Sequence, residues 1–174
     1  MSSVSKDKHP PEPYAAKAYL IVAADLPSIE GGKLSSQEVF DLMHSHSCWE
    51  FPAVSGQAKL KKGDLLFFYL GGKARRIVGE AVVQGERVAI TKDSVKTFDR
   101  SLYPYFVWRM PVKNFNLYES NAANLDFLMQ LSIAKSSKVT RPYVGLILRV
   151  GMRSLSADDV QMIRTTVGET GRTS

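Results

Sequence analysis

Residues 44 to 52, His-Ser-His-Ser-Cys-Trp-Glu-Phe-Pro, hold two of the chain's three histidines and its single cysteine. Three chemistries compete for this stretch. The first is a metal site built from His44, His46 and Cys48. On a helix, residues two apart point about 200° from one another. These three therefore clasp one ion only if the helix has already ended, and a fourth ligand has to come from elsewhere. The second is a thiol nucleophile. Cys48 would need a base and an orienting group; histidines are at hand, but nothing marks an oxyanion site. A helix-end histidine and a small buried thiol account for the same residues without catalysis. The third belongs to Trp49, Phe51 and Pro52. They either plug the core or form one wall of a slot for a planar ring. Stacking a nucleobase on an aromatic ring is worth about 1–3 kcal/mol.

Other reactive patterns are missing. The sequence carries no Walker-type glycine loop, no dinucleotide fingerprint after a strand and no paired CxxC motif. Gly71-Gly72 stands beside Lys73, Arg75 and Arg76, but a hairpin turn wants those glycines anyway. Asp64 follows Gly63 at a strand start, where a turn role is expected. An enzyme acting on nucleic acid or a nucleotide would need Asp25, Glu50 and Asp64 gathered around one cleft, and a protein-interaction module would need exposed aromatics in a cleft at Trp49 flanked by acids rather than bases. No metal or cofactor is expected.

The chain's 174 residues suit one core, with 44% hydrophobic and 23% charged residues. No apolar run reaches the ~18 residues of a membrane helix, and the polar, proline-rich start lacks a secretory signal's apolar centre. One cysteine forms no internal disulfide, so a reducing, cytoplasmic setting is expected. The net charge of +6 favours polyanions, nucleic acid foremost. Its densest clusters are Lys59, Lys61 and Lys62; Lys73, Arg75 and Arg76; and Lys135, Lys138 and Arg141. Each lies beside a predicted turn, either as solvated loop charge or as part of one shared rim.

Those residues need elements to hold them. Residues 1–15 are expected as a disordered tail, 16–167 as one domain and 168–174 as a second tail. Lys17–Ala24 is an apolar, β-branched run that predicts a buried strand. Residues 34–46 predict a helix with Ser35 and Glu38 at capping-box spacing and with Val39, Leu42, Met43 and His46 on one face. The runs 65–70 and 77–83 predict a hairpin. Residues 103–113 alternate, with Phe106, Trp108 and Met110 on one face and Tyr105, Val107 and Arg109 on the other, and Pro111 is expected to end that strand. A short helix over 123–131, a strand over 142–150 and a closing helix over 155–167 follow. Ser156 is the expected cap of the last, with Val160, Ile163 and Val167 inward. Five or six strands without βαβ alternation predict an α+β fold, a mixed β-barrel with peripheral helices.

In order along the chain come a strand, a helical crossover, Trp49 with Pro52, and Gly63-Asp64 leading into Phe67-Phe68-Tyr69. Ile77 to Val83 and Gly151-Met152-Arg153 before Ser156 complete the set. Together, from Tyr19 to Val167, this resembles the EVE domain, a PUA-like branch related to YTH readers. The resemblance implies a PUA-like barrel and a non-enzymatic reader that holds a base flipped from DNA or RNA. Methylated or hydroxymethylated cytosine and methylated adenine are the implied bases. It implies a pocket at Trp49, with Phe51, Pro52 and Glu50 beside it and Ala24 and Asp25 after the first strand. Relatives commonly carry polar residues where Ala23 and Ala24 stand, so Asp25 becomes the expected acceptor for an exocyclic amine. Lys73, Arg75, Arg76, Lys135, Lys138 and Arg141 are the expected phosphate contacts.

Overall fold

The structure, a computed structural model, describes residues 15–28, 31–53, 56–91, 105–138, 140–141, 148 and 151–169. In chain order it contains β1 (Ala18–Ala23), β2 (Leu26–Pro27), β3 (Lys33–Leu34), α1 (Ser36–Ser45), β4 (Cys48–Phe51), β5 (Leu65–Leu70), β6 (Arg76–Val83), β7 (Val88–Ala89) and β8 (Trp108–Leu117). The short helices α2 (Leu125–Leu128) and α3 (Ser132–Ser136), then β9 (Met152–Leu155) and the closing helix α4 (Ala157–Glu169), complete it. The main sheet runs β4-β8-β6-β5-β1-β9, with β7 beside β8, and curls into a half-barrel. Its neighbouring strands are antiparallel except β1 and β5, which pair parallel from Ala18 opposite Leu65 to Ala23 opposite Leu70.

β1 lacks the apolar–polar alternation of a half-solvated strand because both its faces are covered. Tyr19, Ile21 and Ala23 join the core inside the curl, with Phe68, Val39, Phe40 and Met43. Ala18 and Leu20 face the other way, into a second core where Phe67, Tyr69 and Ile77 meet Phe127, Leu128, Ile133 and Ile163 of the helices. The expected capping box is present: Glu38 N–H donates to the Ser35 hydroxyl, and the Glu38 carboxylate accepts from Ser35 N–H at 2.7 Å. Val39 and Met43 are buried as expected, while Leu42 is half-buried and His46 is exposed. The hairpin of β5 and β6 stands at the predicted residues.

One expectation along β8 needs correction. Pro111 does not end the strand, which continues to Leu117. Proline lacks an N–H, but its carbonyl accepts from Gln84 N–H at 2.9 Å, and the ladder resumes at Val112. Beyond it, the four residues of β8 from Lys113 to Asn116 span the three of β6 from Val82 to Glu80. The extra residue makes a bulge at Asn114, whose φ is 55°. The bulge shifts the period and turns Phe115 back onto the core of Val112 and Phe68. At the chain's end, α4 reaches Glu169, two residues into the tail expected from 168. The strand expected over 142–150 lies outside the described residues except Leu148, as do residues 1–14 and 170–174.

Candidate functional site

The cysteine-tryptophan stretch lies inside the protein. β4 pairs antiparallel with β8, Trp49 opposite Met110 and Glu50 opposite Arg109, and all four of its residues are buried. Trp49 is only 4% exposed, its ring 4.8 Å from Phe68 and 6.2 Å from Phe40. The expected open wall is therefore corrected: Trp49 and Phe51 fill the interior of the curled sheet, where apolar area is removed from water. Glu50 is buried too. It accepts from Arg109 Nε and Nη2, both at 2.8 Å, so its expected place at a base pocket is also corrected. Burial pushes the Glu50 carboxyl up, and the Arg109 guanidinium works against that shift. Pro52, just past the strand, is exposed.

The residues of the metal and thiol readings have separate surroundings. The His44 ring packs edge-on against Phe115, 4.6 Å between centroids. His46 Nδ1 lies 3.0 Å from the Leu42 carbonyl at the end of α1. Cys48 is buried, and desolvation, with the Glu50 charge adding to it, pushes its thiol up to about 12, which suppresses the nucleophilic thiolate. No group of three or more metal-ligating side chains occurs among the described residues.

Asp25 stands in an open cleft. The cavity, about 360 Å³, lies where the end of β1, the start of α1 and the β5–β6 turn meet, and is lined by Asp25, Lys33, Ser35, Ser36, Lys73 and Ala74 among others. Its construction is local. Gly71 N–H donates to the Ala23 carbonyl at 2.8 Å, and the Ser36 hydroxyl donates to the Gly71 carbonyl at 3.0 Å. The turn, the strand end and the helix start are thereby tied together. Gly72 has φ 61°, and a Cβ there would sit 2.6 Å from Asp25 Oδ1. The glycine pair expected to serve the turn thus also makes room for this carboxylate.

Asp25 Oδ1 accepts from Ser36 N–H at 2.9 Å, and Oδ2 faces Lys33 Nζ at 2.8 Å. These contacts, Lys33 first and Ser36 next, hold the carboxyl below its usual range. It is an ionised acceptor near neutral pH, with lone pairs beyond the two engaged. Lys33 is 67% exposed, so its ammonium is held loosely. Ala24 is exposed beside Asp25, and Lys73 lines the same cavity.

The basic residues partly converge. Arg76 forms an isolated bridge with Asn124, and Ile77 N–H donates to the Ala123 carbonyl at 2.8 Å. Arg141 Nη2 lies 3.2 Å from Asp126 Oδ1, two residues past Asn124. Arg76 and Arg141, far apart in sequence, thus meet the same short segment, and Lys73 and Arg75 lead from it to the cleft. Arg75 and Lys138 have φ of 46° and 50°. Lys135, in the last turn of α3, is exposed, as is Lys138 just beyond the helix.

The acids of an enzyme reading do not gather. Asp64 is fully buried and accepts from Lys17 N–H and Lys61 N–H at 2.9 and 2.8 Å, at the start of β1. Asp25 follows the other end of that strand, about 20 Å away at ~3.3 Å per residue. Glu50 is in the core. Of the pocket residues expected from sequence, Asp25 lines the cleft; Ala24 is exposed next to it in the chain, and Trp49, Phe51 and Glu50 lie in the core. Lys33 and Ser36 were missed as cleft residues. Ser35-Ser36 at the capping position was the available signal, and Lys33 gave none.

The architecture is that of a PUA-like α+β fold, and solved structures resemble it. A hypothetical protein from Leishmania major matches with a TM-score of 0.53 at 15% identity, covering 91% of this chain and 98% of its own. The ASCH protein from Zymomonas mobilis matches with a TM-score of 0.52 at 8% identity, over 86% and 94%. Human THYN1 in complex with 5-methylcytosine-containing DNA is a looser likeness, with a TM-score of 0.49 at 13% identity over 86% and 96%. At such identities the first two likenesses speak to the fold alone. No protein-family model and no curated protein matches the chain.

Proposed function

We propose that the protein is a non-enzymatic nucleic-acid-binding module that takes one extruded base, DNA- or RNA-borne, into the Asp25 cleft. The observation that carries this reading is an ionised carboxylate lining a cavity of about 360 Å³ that Lys33 and Lys73 also line. Asp25 is the acceptor for an exocyclic amine of cytosine or adenine, which displaces the loosely held Lys33 ammonium. Lys73, Arg75, Arg76 and Arg141, with Lys135 and Lys138 further along, take flanking phosphates and set the strand's register. Net charge of +6 supports the same partner. With Trp49 in the core, affinity rests on phosphate contacts and selectivity on the polar edge of the base. A buried edge left unpaired would cancel the gain.

The resemblance to EVE domains supports a modified base, methylated or hydroxymethylated cytosine or methylated adenine, as the preferred occupant. The test is a competition at fixed salt between short oligonucleotides of one sequence, with and without each modification. The parent protein should prefer one modified strand, and Asp25→Asn should lose that preference while keeping its affinity for unmodified strands. Equal binding of all strands by the parent would overturn the modified-base reading. A preference untouched by Asp25→Asn would move the site elsewhere.

A further inference from the structure

A second and larger cavity, about 530 Å³, opens away from the Asp25 cleft, between the end of β8 and the last turns of α4. Its size is that of a pocket for a small organic molecule. Hydrogen-bond donors converge on it. Arg164 spends two N–H groups on the Glu80 carboxylate, at 3.0 and 2.9 Å, and the other three keep no partner among the described residues. The Ser120 hydroxyl accepts from Ala122 N–H at 3.0 Å, which leaves its own proton to donate. Tyr118 is 8% exposed, and its buried hydroxyl has no partner of hydrogen-bonding geometry. Burial first, and the neighbouring Glu80 charge next, push the phenol up; Glu80 Oε2 takes both Arg164 N–H groups and Oε1 faces Asn116 at 3.4 Å.

The rest of the wall is apolar. Leu117 is 48% exposed, one of three large hydrophobic side chains so exposed among the described residues, and Val167 lies across from it. Donors at one side and alkyl surface at the other suit a ligand with an acceptor head and an apolar body. Charge narrows the head. Arg164 already neutralises Glu80, and Glu119 at the lining repels a doubly charged phosphate more than a single negative charge.

We propose that this cavity binds a small carboxylate with an apolar body. The carboxylate accepts from Arg164 and Ser120 and, after a small side-chain shift, from Tyr118. The alkyl or aryl part covers Leu117 and Val167. The site is independent of nucleic-acid binding.

The test uses the full chain and three probes at equal ionic strength: hexanoate, hexylamine and inorganic phosphate. Hexanoate should raise the melting temperature, and the other two should not. Tyr118→Phe should melt close to the parent, since no acceptor holds its hydroxyl at hydrogen-bonding geometry, yet bind hexanoate about tenfold more weakly or worse. Leu117→Ser, at an exposed position, should fold normally and also weaken hexanoate. No hexanoate effect on the parent, or an equal effect of phosphate, would overturn the proposal. So would a Tyr118→Phe protein that melts lower but binds hexanoate as the parent does, because the hydroxyl would then be structural.

Discussion

Removing the Trp49 indole should cost about 3–5 kcal/mol of folding stability, as for other large aromatics truncated in a core, and urea unfolding would measure it. The ring stands 4.8 Å from Phe68, which in turn stacks on Phe115 at 5.6 Å. Were Trp49 the open pocket wall that the resemblance implies, Trp49→Ala would erase base selectivity and leave the barrel folded. Burial reverses that forecast: stability falls, and selectivity in whatever remains folded is unchanged. A tryptophan after a helix reads equally well as a wall or a plug, and only its tertiary partners decide. Asp25 was expected through the resemblance, as the acceptor beside Ala23 and Ala24, and the structure sets it in the lining of a cleft. Its partner Lys33 was not, since a surface lysine carries no pattern.

Two carboxylates make the protein acid-sensitive in a predictable direction. Lys33 and Ser36 lower Asp25, and donors from Ser132 and Ser156 lower the buried Asp159 although burial itself pushes it up. A carboxyl whose folded pKa is depressed contributes stability that is complete above its unfolded value, about 3.9. That contribution is lost as pH falls through the lower folded value. Asp159→Asn should therefore be less stable at pH 7, and the gap to the parent should close below about pH 4. Unfolding curves at stepped pH would show a gap that widens on acidification if the reasoning were wrong.

At the scale of elements, the β5–β6 turn is the part on which the cleft depends. Gly72→Ala should destabilise by about 1–2 kcal/mol from its left-handed backbone alone. It should also weaken oligonucleotide binding, because the added methyl meets Asp25 Oδ1 at 2.6 Å. Thermal melts and a binding titration on one sample would separate the two effects. The sequence disclosed β1, α1, the hairpin and α4 because caps and apolar runs are local signals, written within a few residues. It did not disclose how far β8 runs. Pro111 resembled a stop, and the Asn114 bulge broke the alternation that would have carried the strand on to Leu117. Both features depend on pairing with β6 and β4, residues far along the chain.

For the whole molecule, the α+β half-barrel was legible from strand count and order, but which loops meet was not. The sheet order sets that: β6 lies between β5 and β8, which brings Arg76 to Asn124 and, through Asp126, to Arg141. Affinity for nucleic acid should consequently fall with salt. Each phosphate contact removed by changing Lys73, Arg75, Arg76 or Arg141 to alanine should flatten the log–log slope by about 0.9 on duplex or about 0.7 on single strands. Unchanged slopes in all four variants would place the polyanion on another face.

The most direct measurement is an amide and indole NMR titration of the protein with a short oligonucleotide carrying the preferred base. The backbone signals of Ser36, Gly72 and Lys73 should shift early and together, and the Trp49 indole should shift little. A titration that moves the Trp49 indole while leaving Ser36 and Gly72 in place would contradict the Asp25 cleft as the seat of recognition.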